Sequence, residues 1–187
     1  FLVLAGIPRP HPRVPERPAH TFAIAIPAHN EEAVIGGTVD RLLRLDYPQE
    51  MYEVHVVSDN STDRTAEIAS SMGAHVIKRE WPGHVAQKNF ALKQAAGDWI
   101  FCLDADERVT PELAHEIQEA VSADRPYVGY TVPRRTFYLG RWITHGGWYP
   151  DRKLRLVRRG RARWGGTDPH DRPYVDGPVG KLRGDLL

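Results

Sequence analysis

The sequence DWIFCLDADE, residues 98–107, is the most informative segment of this 187-residue chain. Its first half is a short apolar run, which predicts a buried strand. Asp104, Asp106 and Glu107 follow that strand directly. In parallel sheets with helices on their faces, ligands bind beyond the carboxyl ends of the strands. The acids are therefore expected at a ligand site, provided that the neighbouring segments supply the rest of such a sheet.

Strand and helix patterns alternate four times around this stretch. Apolar runs predict three more strands, and helical periodicity predicts helices before and after the acids. The predicted strands are 21–28, 52–58, 74–78 and 98–103, and the predicted helices are 31–45, 61–72, 84–96 and one that begins at Thr110-Pro111. This order predicts an α/β fold, a mostly parallel twisted sheet with helices on both faces. After Tyr127 the pattern predicts only short strands joined by long loops.

The composition predicts one globular domain over residues 21–187. Residues 1–20 carry five prolines between Pro8 and Pro18 and are expected to be a linker or a cut N-terminal end. Phe1 to Gly6 is apolar but too short to span a bilayer, and it is either the tail of an upstream membrane helix or a frayed end. The domain is expected to be truncated at its C-terminus. The single cysteine, Cys102, is expected to be buried.

The net charge of +1 hides two regions of opposite charge. Residues 22–133 hold 9 Lys/Arg against 18 Asp/Glu, whereas residues 134–163 hold 10 Lys/Arg and the one acid Asp151. The basic region favours an anionic partner, although a solvated charged face explains the charges equally well. No nucleic-acid-binding motif accompanies these charges, so a nucleic-acid partner is not expected.

Asp104-Ala105-Asp106 is the first candidate site. Two carboxylates at a strand end repel each other, and a hard cation with oxygen ligands relieves that repulsion. Mg²⁺ or Mn²⁺ held there would bridge a substrate diphosphate. The alternative interpretation is a solvated turn with acids that cap a helix, and the strand pattern before the motif favours the metal.

Asp59, at the end of VVSDNSTD, is the second candidate. Its carboxylate could accept a hydrogen bond from uracil or from a ribose hydroxyl. Alternatively, it could cap the helix that begins near Thr62, as Asp63 also could. The turn Pro27 to Glu31 could hold a base edge through its backbone. Glycine-rich dinucleotide and P-loop motifs are absent from the sequence.

These motifs together resemble family 2 glycosyltransferases with the GT-A fold. IPAHNEE at 26–32, VVSDNSTD at 56–63 and LDADE at 103–107 look like the three signatures of that family. The chain also resembles the bacterial branch that adds glucose to heptose in the lipopolysaccharide inner core, through four further stretches. These are AQKNFAL at 86–92, GDWIFCLDADERVTPEL at 97–113, PRRTFYLGRWITHGGWYPD at 133–151 and VDGPVGKLRGDLL at 175–187.

The resemblance implies a UDP-sugar donor and inverting displacement at the anomeric carbon. It also implies that the sugar transferred is glucose, since glucose transfer is the activity of that branch. Its motifs imply that the nucleotide sugar and its metal are bound by Pro27, Ala28, Asn30, Glu31, Asp59, Lys88, Asp104, Ala105 and Asp106. The metal would lie on Asp106, or on Asp104 and Asp106 together, and Lys88 would meet the base or the pyrophosphate.

The resemblance also directs attention to Asp168-Pro169-His170-Asp171, a predicted loop. Related sequences carry a His-Glu pair here. Asp171 is therefore expected to be the general base that inversion requires, and His170 a metal ligand or phosphate contact. A loop with helix-capping or surface acids is the alternative. Arg134, Arg135, Trp148 and Tyr149 are expected to line the acceptor side, since arginine suits phosphate and indole faces stack on sugars.

The resulting hypothesis is a hexosyltransferase at the cytoplasmic, inner face of the cell membrane, in peripheral contact with it. Its acceptor would be a saccharide or a lipid-linked saccharide with negative charge. A polyprenyl-phosphate sugar transferase and a non-catalytic nucleotide-sugar-binding module are the two main alternatives. A nucleotidyltransferase is disfavoured, because the first loop lacks the glycines and lysine that such enzymes use.

Overall fold

The buried run before Asp104 forms a strand, Trp99–Cys102, which pairs in parallel with the strand Phe22–Ala28. The computed structural model describes residues 18–123, 125–168 and 170–187. The predicted linker therefore lies almost wholly outside the described residues. Within the described ranges, no helix combines the length and the apolar character needed to cross a membrane.

Eleven strands and four α-helices occur in the described residues. The strands are β1 Phe22–Ala28, β2 Tyr52–Asp59, β3 His75–Arg79, β4 Trp99–Cys102, β5 Gly129–Arg134, β6 Phe137–Tyr138, β7 Arg141–Trp142, β8 Asp151–Arg158, β9 Ala162–Thr167, β10 His170–Val175 and β11 Val179–Lys181. The α-helices are α1 Glu32–Leu42, α2 Thr65–Ser71, α3 His84–Gln94 and α4 Pro111–Ser122. Two single-turn 3-10 helices cover Gln49–Met51 and Gly146–Trp148.

The main sheet has the strand order β11-β5-β8-β4-β1-β2-β3 in the described part of the chain. β8 runs antiparallel to both of its neighbours, β4 and β5, and the other strands are parallel to one another. The predicted mostly parallel sheet is thus confirmed. Because β1, β2, β4 and β5 run in one direction, the segments that follow them all begin at the same edge of the sheet.

Each face of the sheet is covered, because side chains alternate along the strands. Trp99 and Phe101 of β4 belong to a core that also contains buried residues of α1, α2 and α4. Ile100 and Cys102 belong to a second core on the other face, with α3 and with Trp164 of β9. The expected helices on both faces and the burial of Cys102 are confirmed.

The second helix begins later than the sequence predicts. α2 starts at Thr65, where Oδ1 of Asp63 accepts a hydrogen bond from the Thr65 backbone N–H at 3.0 Å. Ser61 and Thr62 do not cap it, because both contact Asn30 instead. The predicted start of this helix at residue 61 is therefore wrong, and Asp63, one of the two predicted caps, accepts from its first residue.

The region after Tyr127 is more regular than the predicted short strands and long loops. β5 and the eight-residue β8 complete the main sheet, and β9 and β10 form an antiparallel hairpin. Three arginines, at 152, 155 and 158, interrupt the apolar pattern of β8 and hide its length from sequence periodicity. The hairpin brings Asp168 and Asp171 back against α3, where the site lies.

Candidate active site

An open cleft of about 780 Å³ lies at the carboxyl edge of β1, β2 and β4. Most of the residues predicted to bind a nucleotide sugar line it, together with the predicted base. The lining residues are Pro27, Ala28, His29, Glu31, Asp59, Trp81, His84, Gln87, Lys88, Asp104, Ala105, Asp106 and Asp171. The structure thus gathers residues that are up to 144 positions apart in the sequence, from Pro27 to Asp171, around one cavity.

Asp59 lies on the floor of the cleft with its side chain only 2% exposed. The Nδ1 atom of His29 is 2.6 Å from the Asp59 backbone carbonyl oxygen and 2.9 Å from the carboxylate Oδ1. Because Nδ1 has one hydrogen and donates it to the carbonyl, Oδ1 remains without a hydrogen bond. Asp59 is thus a buried acceptor at the cleft, and the interpretation that it caps α2 is wrong.

The pKa values of this pair reflect their close contact. The Asp59 backbone carbonyl raises the pKa of His29, and the Asp59 carboxylate adds to this effect against a smaller opposing effect of burial. Burial raises the pKa of Asp59, although His29 lowers it in part. A ligand that donates a hydrogen bond to Asp59 would therefore relieve the cost of its burial.

Asn30 does not line the cleft, although it was predicted to contact the nucleotide. It adopts a left-handed backbone conformation with φ 54°, which asparagine tolerates better than most residues. Its backbone N–H donates to Ser61 Oγ at 3.2 Å, and its Oδ1 accepts from the Thr62 backbone N–H at 2.8 Å. Asn30 thus ties the loop after β1 to the loop after β2.

Asp104 is held by an ion pair with a buried arginine. The Nη2 atom of Arg155 on β8 lies 2.7 Å from Asp104 Oδ2 and also donates to Glu107 Oε1. Glu107 in turn accepts from the Asp104 backbone N–H at 3.0 Å. Burial opposes the ionisation of Asp104, but Arg155 and Lys88 outweigh it and lower its pKa. Burial raises the pKa of Glu107 despite the nearby Arg155.

Asp106 differs from Asp104 in that it is exposed and has no hydrogen bond or ion pair with any residue the structure describes. Burial and then the charges of Asp106 and Asp63 raise the pKa of nearby Glu31. The part of this shift that comes from neighbouring carboxylates reflects the concentration of acids at the cleft, which suits a divalent cation with oxygen ligands. The residues present therefore fit a metal on Asp106, completed by oxygens from the substrate.

The predicted metal ligands do not form a ready-made cage. No group of three or more His, Cys, Asp or Glu side chains in the described ranges is arranged to hold a metal. His170 is exposed on β10 and does not line the cleft, so the structure does not bring it together with Asp104 and Asp106. The expectation that His170 completes the metal site has no geometric support.

Asp171 lies in a strand, the second position of β10, and not in the predicted loop. Its side chain is 5% exposed, and its Oδ2 accepts from Lys88 Nζ at 2.9 Å. Lys88 also lies 4.4 Å above the Trp164 ring. Asp168, three residues earlier, accepts from the backbone N–H groups of His84 and Val85 and so caps α3. The cap and the ion pair together fix β10 against α3.

The four residues predicted for the acceptor side lie outside the cleft lining. Arg134 pairs with Asp151 at 2.8 Å, and Arg135 pairs with Asp185. The Tyr149 hydroxyl also donates to Asp185, at 2.8 Å. Trp148 is 54% exposed. The two arginines are therefore committed to ion pairs, whereas the indole is free to contact a partner.

Sequence reasoning gave no role to two residues that shape the site, His29 and Arg155, and it did not identify the partner of Glu107. His29 could have been noticed, because it stands inside the IPAHNEE motif. Glu107 follows Asp106 directly, but its partner Arg155 is 48 residues further along the chain. The signal for Arg155 was an arginine between Leu154 and Leu156, because burying its charge is costly unless it meets acids.

Fold and cleft together define a class of protein. A mostly parallel sheet with helices on both faces is the fold of GT-A glycosyltransferases, and in this chain a buried aspartate ends β2 and an acidic motif follows β4. The family model described as "Glycosyl transferase family 2" matches residues 23–174. The chain therefore belongs to glycosyl transferase family 2.

Among curated proteins, the chain is 33% identical over 181 residues to the lipopolysaccharide core biosynthesis glycosyltransferase LpsC of Rhizobium meliloti (strain 1021). The match covers 93% of this chain and 64% of LpsC, so the chain spans less than two thirds of the length of that relative.

Two solved structures share the fold. A mannosyltransferase from Pyrobaculum calidifontis, in complex with GDP-Man and Mn²⁺, matches with a TM-score of 0.57 and 25% identity over 67% of this chain and 38% of that one. Glucosyl-3-phosphoglycerate synthase from Mycobacterium tuberculosis, in complex with Mn²⁺, UDP and glucosyl-3-phosphoglycerate, matches with a TM-score of 0.52 and 25% identity. That match covers 63% of this chain and 45% of the synthase.

Proposed function

We propose that this chain carries the catalytic domain of an inverting hexosyltransferase that moves a sugar, glucose in the first instance, from a UDP-sugar to a saccharide acceptor. One observation carries the proposal: the cleft sets a buried free acceptor on Asp59, a free carboxylate on Asp106 and the carboxylate of Asp171 around the same cavity. Family membership and the nucleotide-bound neighbours support this assignment.

In this proposal each cleft residue has a defined part in binding. Asp59 accepts a hydrogen bond from the uracil imide N–H, which satisfies the unpaired Oδ1. Asp106 holds Mg²⁺ or Mn²⁺, which would neutralise charge on the leaving diphosphate. Arg155 keeps Asp104 and Glu107 in position behind it. Pro27, Ala28 and Ala105 form the wall of the cleft around the nucleotide.

Transfer then requires one proton to move. The acceptor hydroxyl oxygen attacks the anomeric carbon, the bond from that carbon to the diphosphate oxygen breaks, and UDP leaves with the bonding electrons. The hydroxyl proton passes to Asp171, the carboxylate proposed as general base. Before this step Asp171 must exchange its contact with Lys88 for one with the acceptor, because the same oxygen accepts from Nζ.

The similarity to LpsC supports an acceptor in lipopolysaccharide core synthesis, and thus work at the inner face of the cell membrane. An anionic saccharide on a lipid anchor fits the excess of basic residues over 134–163. The identities of the donor sugar and of the acceptor are both part of this proposal.

The Lys88–Asp171 ion pair favours a second candidate, a polyprenyl-phosphate sugar transferase. A phosphate acceptor is already ionised and needs no base, so Asp171 could then keep Lys88 as its permanent partner. UDP release from a panel of UDP- and GDP-sugars, with and without Mn²⁺, tests the function directly. Release with one saccharide acceptor supports the first candidate, release with a polyprenyl phosphate supports the second, and no release under any condition contradicts both.

A further inference from the structure

An exposed group of large apolar side chains lies on and beside the small hairpin formed by β6 and β7. We call this group the aromatic hairpin and define it as Phe137, Tyr138, Leu139, Trp142 and Trp148. Their exposed fractions lie between 41% and 81%, whereas most large apolar residues of the described chain are buried. Contiguous apolar surface of this kind marks an interaction site.

The hairpin is built to present these side chains rather than to bury them. Phe137 pairs with Trp142 at a ring distance of 5.0 Å, and Tyr138 pairs with Trp148 at 5.4 Å. The segment between β5 and β8, which contains the hairpin, is fixed at its start by ion pairs. Arg134 pairs with Asp151, and Arg135 pairs with Asp185. Two aromatic pairs on a fixed base form a firm platform, which loses little conformational freedom when it binds.

The tip of the hairpin carries the most informative residue, Leu139. Leu139 and Gly140 are the two turn residues between β6 and β7, with φ values of 46° and 78°. Such turns favour Asn, Asp or Gly at both positions, because positive φ strains other side chains. The chain thus accepts a strained backbone to expose a leucine at 81%. The strain of the backbone and the exposure of the leucine to water are both offset if that side chain is buried in an apolar environment.

The charge of the segment indicates which environment this is. Residues 136–150 contain no Asp or Glu, and they include Arg141 and His145. Arg141 makes no ion pair with any residue in the described part of the chain. An aliphatic tip, flanking Trp and Tyr rings and unpaired positive charge are the composition of segments that rest in the interface of an anionic bilayer.

The position of the hairpin fits a reaction at a membrane. β5 ends at Arg134 on the same edge of the sheet as the donor cleft, and β8 starts from that edge at Asp151, which pairs with Arg134. The excursion between these two residues therefore projects from the edge that carries the active site. An enzyme resting on a bilayer through this excursion would hold its cleft close to acceptors anchored in the lipid.

We propose that the aromatic hairpin docks this protein onto a bilayer that contains anionic phospholipid, with Leu139 inserted into the interface. The inference rests on the proposed function for its purpose, since a lipid-anchored acceptor is what makes docking useful. Beyond that function, the inference identifies the surface through which the protein contacts the membrane.

Sedimentation with vesicles tests the proposal. The purified protein is mixed with vesicles of phosphatidylcholine alone, or of phosphatidylcholine with phosphatidylglycerol, at low and physiological salt. We expect binding to the anionic vesicles that weakens as salt rises. Leu139→Asp should lower that binding by about tenfold or more, the factor expected when a buried leucine is lost.

Val179→Asp is the matched control. Val179 is also an exposed apolar residue, at 40%, but it opens β11 opposite Gly129 and so lies at the other edge of the sheet. It should leave vesicle binding unchanged, with circular dichroism checking that both variants are folded. Equal binding by the two variants, or no binding by the parent protein, would overturn the proposal. Equal binding to both kinds of vesicle would overturn its anionic part.

Two further measurements separate the alternatives. Lipids brominated along their acyl chains should quench tryptophan fluorescence in the parent protein and quench it less in the Trp142→Phe, Trp148→Phe double variant. Light scattering that shows a dimer abolished by Leu139→Asp, without vesicle binding, would assign the surface to a second copy of this chain and overturn the proposal. Mn²⁺-dependent UDP binding without vesicles reports on the proposed function by itself, and Leu139→Asp should not change it.

Discussion

Arg155 and Asp104 form an ion pair between a buried guanidinium and a half-buried carboxylate, with 2.7 Å between Nη2 and Oδ2. The guanidinium is 5% exposed and also contacts Glu107, so its charge is shared by two acids. The two aspartates of the acidic motif are consequently unequal, because Asp104 is paired with Arg155 and Asp106 has no partner in the described chain. The division suggests that Asp104 shapes the loop and that Asp106 is the carboxylate available to a metal.

This division predicts the effect of replacing Asp106. Asp106→Ala should abolish turnover and remove the dependence of UDP binding on Mn²⁺, because no other unpaired carboxylate of the motif remains. Isothermal titration of UDP with and without Mn²⁺ measures the second effect. Asp176→Ala, at a fully exposed side chain outside the cleft, is the control and should behave as the parent protein does. Unchanged Mn²⁺-dependent affinity in Asp106→Ala would refute the metal assignment.

Arg155 should be essential to stability as well as to the site. Arg155→Met leaves Glu107 and Asp104 without their cation in a buried position, and breaking one partner of a buried pair costs about 3–5 kcal/mol in the free energy of unfolding. Denaturant unfolding followed by circular dichroism measures this. Arg159→Met, at an exposed arginine one residue beyond β8, should change stability by only about 0.5 kcal/mol or less. Equal stability of the two variants would contradict a structural role for Arg155.

The sequence predicted the acidic motif but not the arginine behind it. The strand before Asp104 and the helix from Thr110 follow from local apolar periodicity, and so do β1, β2 and the helices between them. Arg155 reaches Asp104 only because β8 is inserted antiparallel between β4 and β5. That insertion is set by tertiary packing, and no local pattern encodes it. Arg155 was counted in the basic region, residues 134–163, because its burial could not be seen from the sequence.

Asp59 is expected to determine recognition of the base. Its Oδ1 is buried and has no hydrogen bond, and we expect a uracil imide N–H to supply the donor. Asp59→Ala should weaken UDP binding by about 1–3 kcal/mol, the range for losing a charged hydrogen-bond partner. Calorimetry with UDP and with a nucleotide that lacks the imide donor, such as CDP, measures the effect. A variant that binds UDP as tightly as the parent would remove Asp59 from the site.

The raised pKa of Asp59 predicts a pH dependence of the same contact. Burial raises this pKa above its ordinary value, so the carboxylate gains a proton at a higher pH than an exposed aspartate does. UDP affinity should therefore be full at neutral pH and fall as the pH drops through the raised pKa of Asp59. Asp59→Asn, which cannot ionise, should lose this part of the pH dependence. A parallel decline in parent and variant would assign the dependence to another group.

The region around Asp171 was predicted less well than the strands before it. The sequence suggested a loop over 168–171, whereas His170 and Asp171 begin β10 and pair with β9. Glycines at 165 and 166 and a proline at 173 conceal these strands, because such residues are poor strand formers. Asp171 nevertheless lines the cleft, as its predicted role requires. It is held there because Lys88 of α3 pairs with it and because Asp168 caps the N-terminus of the same helix.

Asp171 provides the last prediction, which concerns catalysis. A neutral acceptor hydroxyl is a poor nucleophile, and a carboxylate placed to remove its proton contributes about 10²–10⁴-fold to the rate. Asp171→Asn keeps the shape of the side chain and should lower turnover within that range while UDP affinity stays nearly unchanged. Asp168→Asn is the matched control in the same hairpin: it weakens the cap on α3 but leaves the proposed base intact, so its effect should be smaller. If Asp171→Asn retains near-normal turnover on the true acceptor, no carboxylate at this position removes a proton. An acceptor that is already ionised, as in a polyprenyl phosphate, would then be the better explanation of the Lys88–Asp171 pair.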